Sequence, residues 1–118
     1  MPNRGEVWLA HLEPKQGTAP GKTRPVLIVQ AQALLDVHHP STLIVPLTTN
    51  LLNHAEPLRL RVAATDRLRR DSDLLIDQLH AIDNCRLVQG PMTTLSPALM
   101  ARVYEAIAEV LELDEDRS

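Results

Sequence analysis

Two rhythms of apolar residues run along the chain. Up to residue 90 they come in short dense runs, or alternate with polar residues, between clusters of Pro, Gly, Asn and Ser; after Ser96 they recur at three- and four-residue spacing. The first rhythm is that of β-strands, the second that of a helix with one buried face. Residues 5–12, Gly5-Glu6-Val7-Trp8-Leu9-Ala10-His11-Leu12, read as a first strand whose apolar positions are too dense for an exposed sheet face. A loop is expected over 14–23, where two prolines and two glycines in ten residues forbid regular structure. Strand two is predicted over 25–30, with Pro25, which cannot donate to a ladder, at its start or on an edge. Arg24 then stands at the mouth of that strand, its backbone held extended by Pro25.

Residues 31–37 suit a short helix before the His38-His39-Pro40-Ser41 turn. Strand three is predicted over 43–48, with Pro46 demoting its far end to an edge or bulge. Residues 57–62 alternate, Leu58, Leu60 and Val62 on one face and Arg59 and Arg61 on the other, as in a half-buried strand with a basic outer face. Residues 63–73 read as a charged turn region. Residues 73–79 form a buried strand that 81–83 continue or bend, and 86–90 make a last short strand. Ser96 is a suitable N-cap and Pro97 fits the first helical position, where its missing N–H costs nothing. Leu99, Met100, Val103, Ile107, Val110 and Leu111 then share one helical face, with no Gly or Pro before Asp114. The fold class expected is mainly β with α: a small barrel closed or plugged by a C-terminal helix.

Composition narrows what such a fold can do. A chain of 118 residues is one domain by length, here residues 1–113, followed by a short acidic tail at 114–118. An apolar fraction of 44% with 23% charged residues argues against wholesale disorder. The single cysteine, Cys85, excludes an intrachain disulfide and a multi-cysteine metal site, and suits a reducing cytoplasm. No apolar run approaches a membrane span and the N-terminus lacks a signal-peptide core, so no membrane association is expected and the expected location is cytoplasmic. The net charge of −3 argues against indiscriminate coating of nucleic acid, yet it hides an uneven spread: residues 1–70 carry nine of the 12 Lys and Arg. With Trp8 and Tyr104 the only aromatics, base stacking on an aromatic platform is a weak option.

The familiar signatures are missing. His38, His39 and His54 lack ligand spacing, so no metal is expected, and without a Walker or Gly-x-Gly-x-x-Gly loop no cofactor is expected either. No serine sits in a nucleophile elbow. What remains is a polar set at strand ends: Arg24, Thr48, Thr49, Gln78 and His80. An arginine and a hydroxyl at one rim can grip two oxygens of a phosphodiester and stabilise the extra charge of a phosphorane. RNA brings its own nucleophile, the 2′-OH, which DNA lacks. Blander roles stay open: Arg24 in a surface salt bridge, Thr48 capping a turn, Gln78 and His80 as ordinary rim residues.

Five ordered pieces at compatible spacings extend this reading. Gly5-Glu6-Val7-Trp8, Lys22-Thr23-Arg24-Pro25-Val26-Leu27-Ile28, Ile44-Val45-Pro46-Leu47-Thr48-Thr49, Asp71-Ser72 with Leu75-Ile76-Asp77-Gln78, and Leu95-Ser96-Pro97 resemble the MazF/PemK toxins of bacterial toxin–antitoxin pairs. The resemblance runs from about residue 5 to 113. It implies an SH3-like barrel, a homodimer and a metal-independent endoribonuclease that cuts single-stranded RNA at short sequences, leaving a cyclic phosphate and a 5′-OH. It implies Arg24 and Thr48 as the catalytic pair, and a mobile loop at 14–23 gating an RNA groove. Lys15, Lys22, Thr23, Thr49 and Gln78 are the RNA-binding candidates that go with it. A cognate antitoxin with an acidic, initially disordered segment is the implied protein partner.

Three departures accompany the resemblance. A loop glutamate proposed in some relatives to move a proton is replaced by Ala19, an Asp in the first strand by His11, and an Arg after Asp-Gln by His80. His11 and His80 are therefore candidates for a proton shuttle, subject to which way strand alternation points them. A second class of function on the same fold is a non-catalytic toxin that poisons gyrase, as CcdB does, in which Arg24 is structural. The intact Arg-Pro and Pro-Leu-Thr elements favour cleavage.

Overall fold

In the computed structural model, residues 1–12 and 22–113 are described, with Lys22 described by its backbone alone. The described elements are β1 (Glu6–Leu12), β2 (Lys22–Ile28), α1 (Gln32–Asp36), β3 (Ser41–Thr48), β4 (Arg59–Val62), β5 (Ser72–Leu75), a 3-10 turn (Ile76–Gln78), β6 (His80–Asp83), a second 3-10 turn (Asn84–Arg86), β7 (Leu87–Thr94) and α2 (Pro97–Val110). All strand pairings are antiparallel, in the order β4-β5-β3-β2-β1-β7, with β6 joined to β3 beside β5.

α2 begins as the sequence predicts. Ser96 Oγ accepts the Leu99 N–H at 3.1 Å and Pro97 occupies the first turn. Its inner face, Met100, Val103 and Ala106, completes a core with Val7, Leu27, Val45, Leu47, Leu60, Val62 and Leu74 from five strands. Each Val, Leu or Met side chain there contributes roughly 1.5–3 kcal/mol of transfer free energy. A smaller apolar cluster, Ala10, Val26, Ile28, Leu35, Ile44 and Ile82, lies on the other face of the sheet. Alternation along β2 separates the two: Leu27 belongs to the first cluster, Val26 and Ile28 to the second.

The mainly β fold with a C-terminal helix is present, but the ladder is not closed. Among the described residues β4 and β7 form the two ends of the strand order and do not pair with each other. α2 packs its buried face against one side of this open sheet. β2 begins at Lys22, because pairing with β1 runs on to Leu12↔Lys22. Arg24 consequently lies inside the strand rather than at its mouth, opposite Ala10, and Pro25 lies opposite Leu9. Pro46 is buried in a central strand, not on an edge. β6 pairs β3 as far as Ile44 and β5 takes over at Leu47, so the missing donor of Pro46 falls where the partner changes.

Further differences follow from partners that the local pattern does not report. Leu58 precedes β4 and is 47% exposed, leaving Leu60 and Val62 to make the buried face. The stretch predicted as one strand over 73–79 is broken by the Ile76–Gln78 turn, which lets β6 leave β5 and pair β3 on its own. β7 runs to Thr94, well beyond residue 90, and α2 ends at Val110 with Leu111 exposed.

Candidate active site

The register of the sheet sets the predicted pair on one face. β2 and β3 pair as Val26↔Pro46, Leu27↔Val45 and Ile28↔Ile44. Continued two residues, that register sets Arg24 opposite Thr48. The paired ladder stops before that point, where Pro25 and Pro46 remove two donors. Arg24 and Thr48 share the parity of Val26, Ile28, Ile44 and Pro46, so both rise from the face opposite α2. Both are half-buried. Among the described residues the Arg24 guanidinium has no carboxylate partner; the ion pairs lie elsewhere.

Thr48 ends β3, and its Oγ1 accepts the Asn50 N–H at 3.1 Å. The turn-capping role anticipated for a strand-end hydroxyl is therefore real. It occupies an acceptor lone pair and leaves the O–H free to donate.

On its far side Thr48 pairs with Asp73 of β5, which pairs in turn with Arg61 of β4. Directly paired residues share a face, so Arg61, Asp73 and Thr48 form one row across three neighbouring strands, and the continued β2–β3 register sets Arg24 at its end. Asp73 is 1% exposed. Its Oδ1 accepts Arg61 Nε at 2.6 Å, its Oδ2 accepts the Leu52 N–H at 2.9 Å, and Arg59 Nη1 stands 3.5 Å from Oδ2. Burial pushes this carboxyl up, but the Arg61 hydrogen bond and charge, the Leu52 N–H and the Arg59 contact outweigh it and hold the group below the usual carboxylate value. Arg59 and Arg61 are thus not the free basic face that their alternation suggests. They enclose a buried anion.

The remaining candidates scatter. His11 pairs with Thr23, one position from the Ala10–Arg24 pair, so both side chains belong to the face opposite Arg24 and both are exposed. His80 pairs with Ile44 and shares the Arg24–Thr48 face. It stands four positions along β3 from the level of Thr48, about 13 Å at ~3.3 Å per residue. Its Nδ1 lies 2.7 Å from the Gln78 carbonyl, which can only accept, so Nδ1 carries the hydrogen and Nε2 is open. Thr49 and Gln78 are exposed, the first just beyond Thr48 and the second closing the Ile76–Gln78 turn. Lys15, Ala19 and most of the predicted 14–23 loop lie outside the described residues. Asp73 is the site residue that reading the sequence missed. Its signal was an acid opening an apolar run, one hairpin after two arginines that share a face.

Fold and row define a class: an antiparallel β protein with a helix packed on one face of its sheet and a cation and a hydroxyl on the other. Comparison with known proteins makes the class specific. The family described as PemK-like, MazF-like toxin of type II toxin–antitoxin system matches residues 3–111. "Endoribonuclease MazF" of Staphylococcus saprophyticus is 35% identical, covering 100% of this chain and 98% of that protein. Among solved structures, "Mycobacterium tuberculosis toxin MazF-mt6" superposes with a TM-score of 0.75 at 25% identity, covering 92% of this chain and 98% of that one. A MazE–MazF structure from Deinococcus radiodurans shares the fold with a TM-score of 0.78 at 17% identity, over 96% and 97% of the two chains. The chain belongs to the PemK-like, MazF-like toxin family.

Proposed function

We propose that this protein is an endoribonuclease toxin that cleaves single-stranded RNA at short sequences, without a metal, and so inhibits translation and growth. The observation that carries the proposal is the register that aligns Arg24 with Thr48 on one face, in a chain 35% identical to a protein named as an endoribonuclease. The substrate 2′-OH loses its proton and attacks phosphorus; the bond to O5′ breaks, and O5′ takes up a proton. The products are a 2′,3′-cyclic phosphate and a 5′-OH. Arg24 supplies a fixed positive charge to the phosphorane, and Thr48, whose oxygen already accepts the Asn50 N–H, donates its O–H to a phosphate oxygen. Of the two shuttle candidates, His80 is on the reacting face and offers Nε2 for proton transfer through water, whereas His11 faces the other way. Lys15, Lys22, Thr49 and Gln78 are assigned to holding the RNA; Thr23, on the far side of β2, is given no role.

A homodimer in the cytoplasm, held in check by a cognate antitoxin, is the cellular form we infer. A mycobacterial endoribonuclease solved in complex with its cognate antitoxin shares this fold, with a TM-score of 0.72 at 23% identity over 97% of this chain and 98% of that one. An acidic antitoxin segment laid over Arg24 would compete directly with the phosphodiester. The test is incubation of the purified protein with an unstructured RNA in EDTA. Discrete fragments bearing 5′-OH ends are expected. Intact RNA, or cleavage that needs added Mg²⁺, would overturn the reading.

A further inference from the structure

The chain leaving β3 is irregular between Thr49 and Asn53, yet it is tied down at three points, all leading to one buried group. Asp73 Oδ2 receives the Leu52 N–H at 2.9 Å. Arg61, bound to Asp73 through Nε, uses Nη2 to hold Asn53 Oδ1 at 2.8 Å. Arg59, beside the same carboxylate, donates from Nη1 to the Asn50 carbonyl at 2.8 Å. Asn50 in turn donates its backbone N–H to Thr48 Oγ1. A buried carboxylate with its cations gives little net stability compared with apolar residues of the same volume, so the use of such a group is best sought in what it positions.

We propose that Asp73, acting through Arg59, Arg61 and the Leu52 N–H, is a positioning residue that fixes the orientation of the Thr48 hydroxyl. The inference rests on the nuclease reading for its chemical meaning and goes beyond it in naming what aims the hydroxyl. Asp73 is the direct cross-strand neighbour of Thr48 and is shielded from water, so it does not touch substrate. With the chain at 50–53 fixed, the Asn50 N–H claims one lone pair of Oγ1 and the hydroxyl hydrogen is left to point out of the sheet toward Arg24. Once that chain is released, the hydroxyl rotates among its wells and donates to phosphate only part of the time.

The test pairs two variants with two readouts. Asp73→Ala removes both acceptor oxygens; Arg61→Gln, at a side chain 39% exposed, removes the Asn53 tie and the Arg61 bond to Asp73 without truncating a core side chain, should the first variant fail to fold. Amide hydrogen exchange is expected to quicken about tenfold or more at Asn50 and Leu52 in both variants, while Leu27 and Val45 keep their protection. In RNA cleavage kcat is expected to fall about tenfold or more with KM little changed, and the loss to vanish when the same change is made on Thr48→Ala. Unchanged exchange at Asn50 and Leu52 overturns the proposal, as does an equal loss of kcat with and without the Thr48 hydroxyl. A wild-type protein that leaves RNA intact overturns the nuclease reading alone, since exchange still decides whether Asp73 holds the Thr48 segment.

Discussion

On the face of the sheet under α2, Leu27, Val45, Leu60, Leu74 and Val103 meet in one apolar cluster drawn from four strands and the helix. The opposite face is divided: Val26, Ile28, Ile44 and Ile82 make a smaller apolar patch, and beyond it runs the row Arg24, Thr48, Asp73, Arg61. The first face stabilises the fold by area. The second gives up area at its rim for a half-buried cation and hydroxyl that contribute little to stability. Substitutions should therefore separate, those in the α2 cluster lowering stability and those at Arg24 and Thr48 lowering activity at unchanged stability.

Leu27→Ala attacks the first face at a residue of 0% exposure and should cost about 2–5 kcal/mol in urea denaturation, the range for a buried Leu that leaves a cavity. A loss below about 1 kcal/mol would mean that the cluster is not the stabilising core. Acid probes the row. The Asp73 carboxyl is held below its unfolded value of ~3.9, so its stabilisation is fully present above that pH and is lost as pH falls through the lower folded value. Asp73→Ala should cost about 1–3 kcal/mol at neutral pH and flatten the decline of stability in acid, as read by denaturation across a pH series. A decline as steep as wild type would show that other carboxylates carry it.

At the outer edge of the row's face, a Cβ on Gly90 would lie 2.4 Å from Trp8 Cδ2. Gly90→Ala should therefore destabilise by about 1–3 kcal/mol and shift Trp8 fluorescence. Unchanged fluorescence would mean that the ring does not rest on Gly90. The smallest effect is expected at Ser96→Ala, which removes the cap on Leu99 N–H and should cost about 1 kcal/mol with cleavage intact.

The face under α2 was largely legible in the sequence. Helical spacing after Ser96 and alternation at Leu60 and Val62 are local signals, and local physics carries them into the fold. The adjacency of β2 and β3 was anticipated, but the start of β2 was not, because Leu12↔Lys22 pairing overrides a loop composition. Asp73 stayed hidden for the same kind of reason. As the head of Asp73-Leu74-Leu75-Ile76 it looks like a polar strand end, and only the register with Arg61, twelve residues away, buries and pairs it. The open sheet was equally out of reach, since whether the end strands pair is decided by the whole strand order rather than by any strand's own pattern.

The central claim is that Arg24 and Thr48 act together on one phosphodiester. The most direct test measures single-turnover cleavage of an unstructured RNA, RNA affinity and thermal unfolding side by side for wild type, Arg24→Ala and Thr48→Ala. The account predicts cleavage reduced about 100-fold or more by Arg24→Ala and at least about tenfold by Thr48→Ala, with unfolding temperatures near wild type. Wild-type cleavage by either well-folded variant would contradict it.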